Sequence, residues 1–171
     1  CALLGLLDAT WTAADLGCGG GHLAEALAPF VRRVIAVDES TAMLRAARAR
    51  LAASKNVEVR QGTLESLPLE AAEVDLALVT LVLHYIADPA VAFAEIHRVL
   101  RKGGRVLIVD MMTHDLAQYR EAMGHAWLGF RPEQIAHWGG EAGFVDCRTH
   151  ALPALPQSNG PTLFAAVLHK R

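Results

Sequence analysis

Apolar residues along this chain fall into short β-type runs, at 12–16, 33–38, 57–61, 74–80 and 105–110, several of them continuous enough to be covered on both faces. Between them the spacing turns helical. One stretch runs from the glycines at 17–21 to Pro29, and a second covers about 41–53 with the alanine and arginine that helices favour. A third starts at Asp88-Pro89, where Ala92, Ile96, Val99 and Leu100 recur as a core face. Ser40 and Asp88 stand where helix caps belong, and Pro89 suits a first turn. Gly103-Gly104 is expected to release the chain into the strand at 105–110. A polar insertion follows at 111–130, then a helix from near Pro132 to Gly143. Two last strand candidates, 144–149 and 163–169, are joined by a loop rich in proline, serine and glycine. This alternation predicts an α/β fold with a doubly wound, mostly parallel sheet.

Candidate chemistry concentrates in Asp15-Leu16-Gly17-Cys18-Gly19-Gly20-Gly21-His22 and in the strand end Val37-Asp38. Glycines at 17, 19 and 21 let a chain leave a strand sharply and bring its backbone against a ligand. Asp38 lies where the dinucleotide fingerprint places an acid for ribose hydroxyls. That fingerprint, G-x-G-x-x-G/A, requires its third glycine where this chain has His22, so nicotinamide-dependent reduction is a weak reading. A pyrophosphate also favours the positive end of a helix, whereas an acid beside the loop favours a cation.

The loop, with its acid two places before the first glycine, resembles the first motif of class I S-adenosylmethionine-dependent methyltransferases. Further segments follow in that family's order. Val37-Asp38-Glu39-Ser40-Thr41-Ala42-Met43 is similar to its ribose motif, with Met43 as an apolar wall for adenine. Residues 59–68 resemble the segment that reads the adenine edge, with Thr63 where an acid is usual; its hydroxyl and the Leu64 amide remain to meet the base. Residues 74–89 resemble the strand and loop lining the transfer site, which puts Thr80 and His84 toward the chemistry. The resemblance therefore implies a seven-stranded Rossmann-like methyltransferase sheet with an antiparallel last strand. It implies cofactor contacts at Asp15, Gly17, Cys18, Gly19, Gly21, Asp38, Glu39, Met43, Gly62, Thr63, Leu64 and Thr80, with S-adenosylhomocysteine as product.

The segments Asp110-Met111-Met112-Thr113-His114-Asp115 and 119–130 resemble a narrower group, methyltransferase domains fused behind ArsR-type winged-helix repressors. Residues 1–171 are read as one such domain cut at its amino terminus, with a DNA-binding region expected before Cys1; the apolar start, residues 2–7, is read as the tail of a helix. His114, Tyr119, His125 and Trp127 are candidate pocket residues, and His84 and His125 candidate bases for an acceptor that must lose a proton.

Composition narrows the partners. The 171 residues carry a net charge of −2 without a basic stripe, so nucleic acid and anionic membranes are not expected partners of this domain, and a small-molecule acceptor is. No apolar run reaches the roughly 20 residues of a membrane span. Cys1, Cys18 and Cys147 are too scattered for a disulfide framework or zinc site, which fits a reducing cytoplasm; the histidines share no ligand spacing, so no metal is assigned. The leading expectation is an S-adenosylmethionine-dependent small-molecule methyltransferase; the alternative is a non-catalytic cofactor or metabolite sensor of a transcriptional repressor.

Overall fold

Strands with few polar side chains need cover on both faces, and the chain supplies it by returning through a helix after most strands. The computed structural model describes residues 7–153 and 160–171, so Cys1, the expected helix tail up to Leu6 and most of the last loop lie outside the described residues. Seven strands form one sheet: β1 (Thr12–Leu16), β2 (Arg33–Asp38), β3 (Val57–Gln61), β4 (Val74–Thr80), β5 (Leu100–Met111), β6 (Val145–Ala151) and β7 (Leu163–His169). Their spatial order is β3-β2-β1-β4-β5-β7-β6; the first five are parallel, and β7 runs antiparallel to both β5 and β6. Order reverses between β1 and β4, and beyond their carboxyl ends such sheets open a crevice.

Five helices accompany the sheet: α1 (His22–Leu27), α2 (Thr41–Arg50), α3 (Pro89–Val99), α4 (Gln118–Met123) and α5 (Pro132–Glu141). Among the described residues, none is long and apolar enough to cross a membrane. The two expected caps form: Ser40 Oγ accepts from Met43 N at 3.3 Å, and Asp88 Oδ1 accepts from Ala90 N at 3.1 Å with Pro89 in the first turn. Helices α1 and α2 tighten into 3-10 turns, Ala28–Phe30 and Leu51–Ala53, so the helical stretches to Pro29 and over 41–53 are α only in their first parts.

Two expectations are corrected by backbone pairing. Gly103-Gly104 lies inside β5: Leu100 already pairs with Val74, and a bulge carries the register to Leu76 opposite Arg105. Gly104 fits that bulge because a Cβ there would sit 2.8 Å from the Arg101 carbonyl oxygen. The 111–130 insertion is polar only in part, since it includes α4 and ends in Phe130, which is fully buried. Its ends are pinned by Phe130 N to Met111 O at 2.9 Å and His114 N to Leu128 O at 3.0 Å.

The larger core layer joins α3 and α5 to the sheet through Phe93, Ile96, Ile135, Phe144 and Leu168. Phe93 is sealed beside Trp138 and Phe144, whose ring centroids lie 6.2 and 6.5 Å away. Removing an aromatic ring from such a site leaves a cavity the neighbours cannot close. Phe93→Ala should lower unfolding free energy by about 3–5 kcal/mol in a denaturant titration, without moving the sheet's circular-dichroism signature.

Candidate functional site

Strand β1 ends at Leu16, and the chain turns at once against the end of β2. Gly17 N and Cys18 N both donate to Val37 O, at 2.8 and 2.9 Å. Gly17 has φ +77, and a Cβ there would lie 2.3 Å from Val82 Cγ2. Gly19, at φ +50, has nothing within 4 Å of where a Cβ would stand, so its backbone faces open space. The Asp38 carboxylate spans the two strand ends: Oδ2 accepts from Gly19 N at 2.8 Å and Oδ1 from Ser40 N at 2.9 Å. Gly21, left-handed, leads into α1. His22, at the dinucleotide motif's third-glycine position, is exposed.

These pieces border a cleft of about 430 Å³ beyond the carboxyl ends of the central strands. Of the expected residues, Gly17, Gly19, Asp38, Glu39, Met43, Gly62, Thr63 and Leu64 line it together. Leu81, Val82, Tyr85 and Ile86 form the opposite wall. Individual expectation had not singled out these four, although they lie in the quoted segment 74–89; the signal was a run of large apolar residues continuing past a strand's carboxyl end. Leu81 holds φ +55, a left-handed backbone that costs a leucine about 1–3 kcal/mol, and Val109 O fixes it by accepting from its N at 2.8 Å. Met43, Leu81 and Tyr85 are large apolar or aromatic side chains left exposed on this one rim.

Asp15, Cys18, Gly21 and Thr80 are not on the cleft surface. Asp15 is buried under the loop, where Oδ2 accepts from Ala24 N at 3.0 Å in the first turn of α1. Burial, with a smaller contribution from the Asp38 charge, pushes its carboxyl up to about 7. The Cys18 thiol is pushed up to about 12 by burial and by Asp15 and Asp38, so it stays protonated and unreactive. Gly21 packs toward α2, where a Cβ would sit 2.9 Å from Leu51 Cδ1. Thr80 ends β4 opposite Val109.

Two carboxylates therefore crowd the glycine loop, a third at Glu39 stands on the rim, and neither lysine nor arginine is among the lining residues. The arrangement suits a cation and disfavours a phosphate. A separate hollow lined by Arg32, Arg33 and Lys55 opens elsewhere, at the ends of β2 and β3 away from Asp38. Its cations are in part already engaged, Arg32 with Thr12 Oγ1 at 2.9 Å and Arg33 with Glu73 at 3.4 Å.

Behind the Tyr85 wall, His84 and His125 stack with ring centroids 4.1 Å apart. The partner of His84 is Asp110, whose Oδ1 lies 2.8 Å from Nδ1. No functional role had been given to Asp110, yet an acid at the carboxyl end of an otherwise apolar strand was a readable signal. Tyr119 joins this ring cluster at 5.2 Å from His125 and His114 at 5.1 Å from Tyr119. Trp127 instead packs on Phe130 and Trp138 and donates to Ile86 O at 2.9 Å. Among the described residues, no group of three or more His, Cys, Asp or Glu could hold a metal.

Between about pH 4 and pH 7 the folded chain keeps a proton on Asp15 that the unfolded chain has released, so raising pH across this window removes stability. Asp15→Asn keeps an acceptor for Ala24 N without the charge. Its unfolding free energy should exceed wild type's increasingly up to pH 7, by at most about 4 kcal/mol, with the difference vanishing near pH 4; urea titrations across that range check it.

Comparison with known proteins agrees with this geometry. Residues 14–108 match the family model described as a methyltransferase domain. The chain is 46% identical over 101 residues to an uncharacterised 37.1 kDa protein in transposon TN4556 of Streptomyces fradiae, covering 57% of this chain and 29% of that protein. It is 34% identical over 156 residues to malonyl-[acyl-carrier protein] O-methyltransferase of Serratia marcescens, covering 91% of this chain and 52% of the other. This chain thus spans about half or less of these relatives' lengths. The fold matches the crystal structure of the YcgJ protein of Bacillus subtilis with a TM-score of 0.83 at 21% identity, over 99% of this chain and 97% of that one. By a glycine loop tied to an acid at the end of β2, and by a family match over more than half its length, this chain belongs to the methyltransferase domain family.

Proposed function

We propose that the cleft binds S-adenosylmethionine and that the domain passes its methyl group to a small-molecule acceptor. The observation that carries this reading is the acid-lined, cation-free cleft around Gly19 and Asp38. When bound, the cofactor supplies a methyl carbon already activated by a positive sulfur. Asp38 retains lone pairs for ribose hydroxyls beyond those used by Gly19 N and Ser40 N. Met43 and the buried Leu64 give adenine apolar walls, and Thr63 offers a hydroxyl at its edge. Asp15, uneasy as a buried anion, gains from a cation above the loop, which would draw off its proton.

The chain's main task is then alignment. Fixing the reactants in attack geometry is worth about 7–11 kcal/mol, against about 3–5 for a general base. The Leu81, Val82 and Tyr85 wall, together with the His84 and His125 rings behind it, bounds the side from which an acceptor would come. The cleft's modest volume and its lining without lysine or arginine favour a small acceptor over a macromolecule.

Thr63, in place of an acid, favours one second reading: a sensor that binds the same ligand and reports to a fused ArsR-type repressor in the cytoplasm, without turnover. Transfer of labelled methyl groups to any component of a metabolite extract would exclude it. For the main reading, S-adenosylhomocysteine should bind in a calorimetric titration, and Asp38→Ala should weaken binding about 10–100-fold while the fold persists, the loss expected for a charged hydrogen-bond acceptor. Undiminished affinity in that variant would contradict the site.

A further inference from the structure

Resting on that reading, we propose that His84 removes the acceptor's proton, that Asp110 positions it, and that the acceptor is a ring-borne acidic hydroxyl, a phenol or enol. Asp110 is completely buried at the end of β5. Its Oδ1 accepts from Met111 N at 2.8 Å and meets His84 Nδ1 at the same distance, while Oδ2 is sealed with no partner among the described residues. An acid so placed is a poor device for stability, because a buried carboxylate costs more than two hydrogen bonds return. It does orient the imidazole: as a carboxylate, Asp110 only accepts, so with Oδ1 taking both Met111 N and His84 Nδ1 the lone pair is left on Nε2.

Among the described residues Nε2 has no hydrogen-bond partner. The backbone beneath the ring is pinned, since the His84 carbonyl oxygen accepts from both Ala126 N and Trp127 N, at 3.0 and 3.1 Å, and the ring itself is tied to Asp110. Around it stand flat faces. Tyr85 lies 4.3 Å from His84 and 4.9 Å from His125, and the same Tyr85 is half exposed on the cleft wall. His125, its pKa lowered by burial and by His84 beside it, keeps a sealed Nδ1 with no partner among the described residues and presents its ring face beside Tyr85.

The flat faces beside His84 select the acceptor, since the Tyr85 and His125 rings suit a planar one. A phenol or enol hydroxyl gives up its proton to a neutral imidazole far more readily than an alkanol hydroxyl does, because its anion is delocalised into the ring. The proton step balances on its own: the acceptor O–H bond breaks, its electron pair stays on oxygen, and the proton forms an N–H bond at Nε2 before leaving to solvent. The freed lone pair is the nucleophile of the transfer proposed above.

A chromophoric phenol tests this without turnover. With the protein saturated in S-adenosylhomocysteine, 4-nitrophenol should bind and show its visible phenolate band at a pH where the free probe is still protonated. His84→Gln should abolish the band, Asp110→Asn should reduce the ionised fraction at least tenfold, and His125→Gln should weaken binding while leaving the bound probe ionised. Each variant must bind S-adenosylhomocysteine within twofold of wild type, and ¹⁵N spectra of the wild-type complex should show His84 protonated on Nδ1. A band that survives His84→Gln, an Nε2-protonated ring, or a probe that fails to bind the loaded protein overturns the proposal while leaving the cofactor site intact. Failure of S-adenosylhomocysteine to bind overturns the methyltransferase reading and this one with it.

Discussion

One carboxylate holds the working end of this protein together. Asp38 ends β2 and grips Gly19 N, while the backbone carbonyl before it, Val37 O, accepts from Gly17 and Cys18. These contacts exist because β1 and β2 are parallel neighbours in a register that pairs Leu16 with Val37. From there the rest follows by geometry. The loop reverses, α1 starts at His22 with its Ala24 amide on Asp15, and the open backbone of Gly19 faces the crevice at the switch between β1 and β4.

The same region carries features that lower stability. Asp15 is buried in a place that penalises its charge, Leu81 holds a left-handed backbone, and Asp110 has a sealed oxygen with no partner among the described residues. Each faces or supports the crevice, whereas the layer around Phe93, Ile96 and Phe130 is apolar and filled. Stability is thus supplied by the apolar layers on both faces of the sheet and spent at its carboxyl edge, as expected where geometry is held for a ligand rather than for folding.

Sequence reading succeeded where a local rule governs a local outcome. Runs such as 34–37 and 76–79 are apolar because helices cover both faces, and caps such as Ser40 and Asp88 act within three residues. The glycine turn was legible because a sharp exit from a strand has few alternatives, and the structure ties that turn to Asp38. What escaped depends on pairing at a distance. Gly103-Gly104 looks like a break, but its bulge is decided by Val74 and Lys170: Gly103 N donates to Lys170 O at 2.9 Å. Asp110 and His84 are 26 positions apart, and only adjacency of β4 and β5 brings them together. The place of Asp15 under the loop, where it accepts from the Ala24 amide, likewise depends on how α1 folds back.

The central claim is that a phosphate-free, positively charged nucleoside cofactor lies across the Gly19 and Asp38 corner. A crystal structure of the protein grown with S-adenosylhomocysteine tests it most directly. The account predicts ribose hydroxyls on the Asp38 carboxylate and adenine between Met43 and Leu64. Density for the nucleoside in the Arg32 and Arg33 hollow, or anywhere that leaves Asp38 untouched, would contradict it.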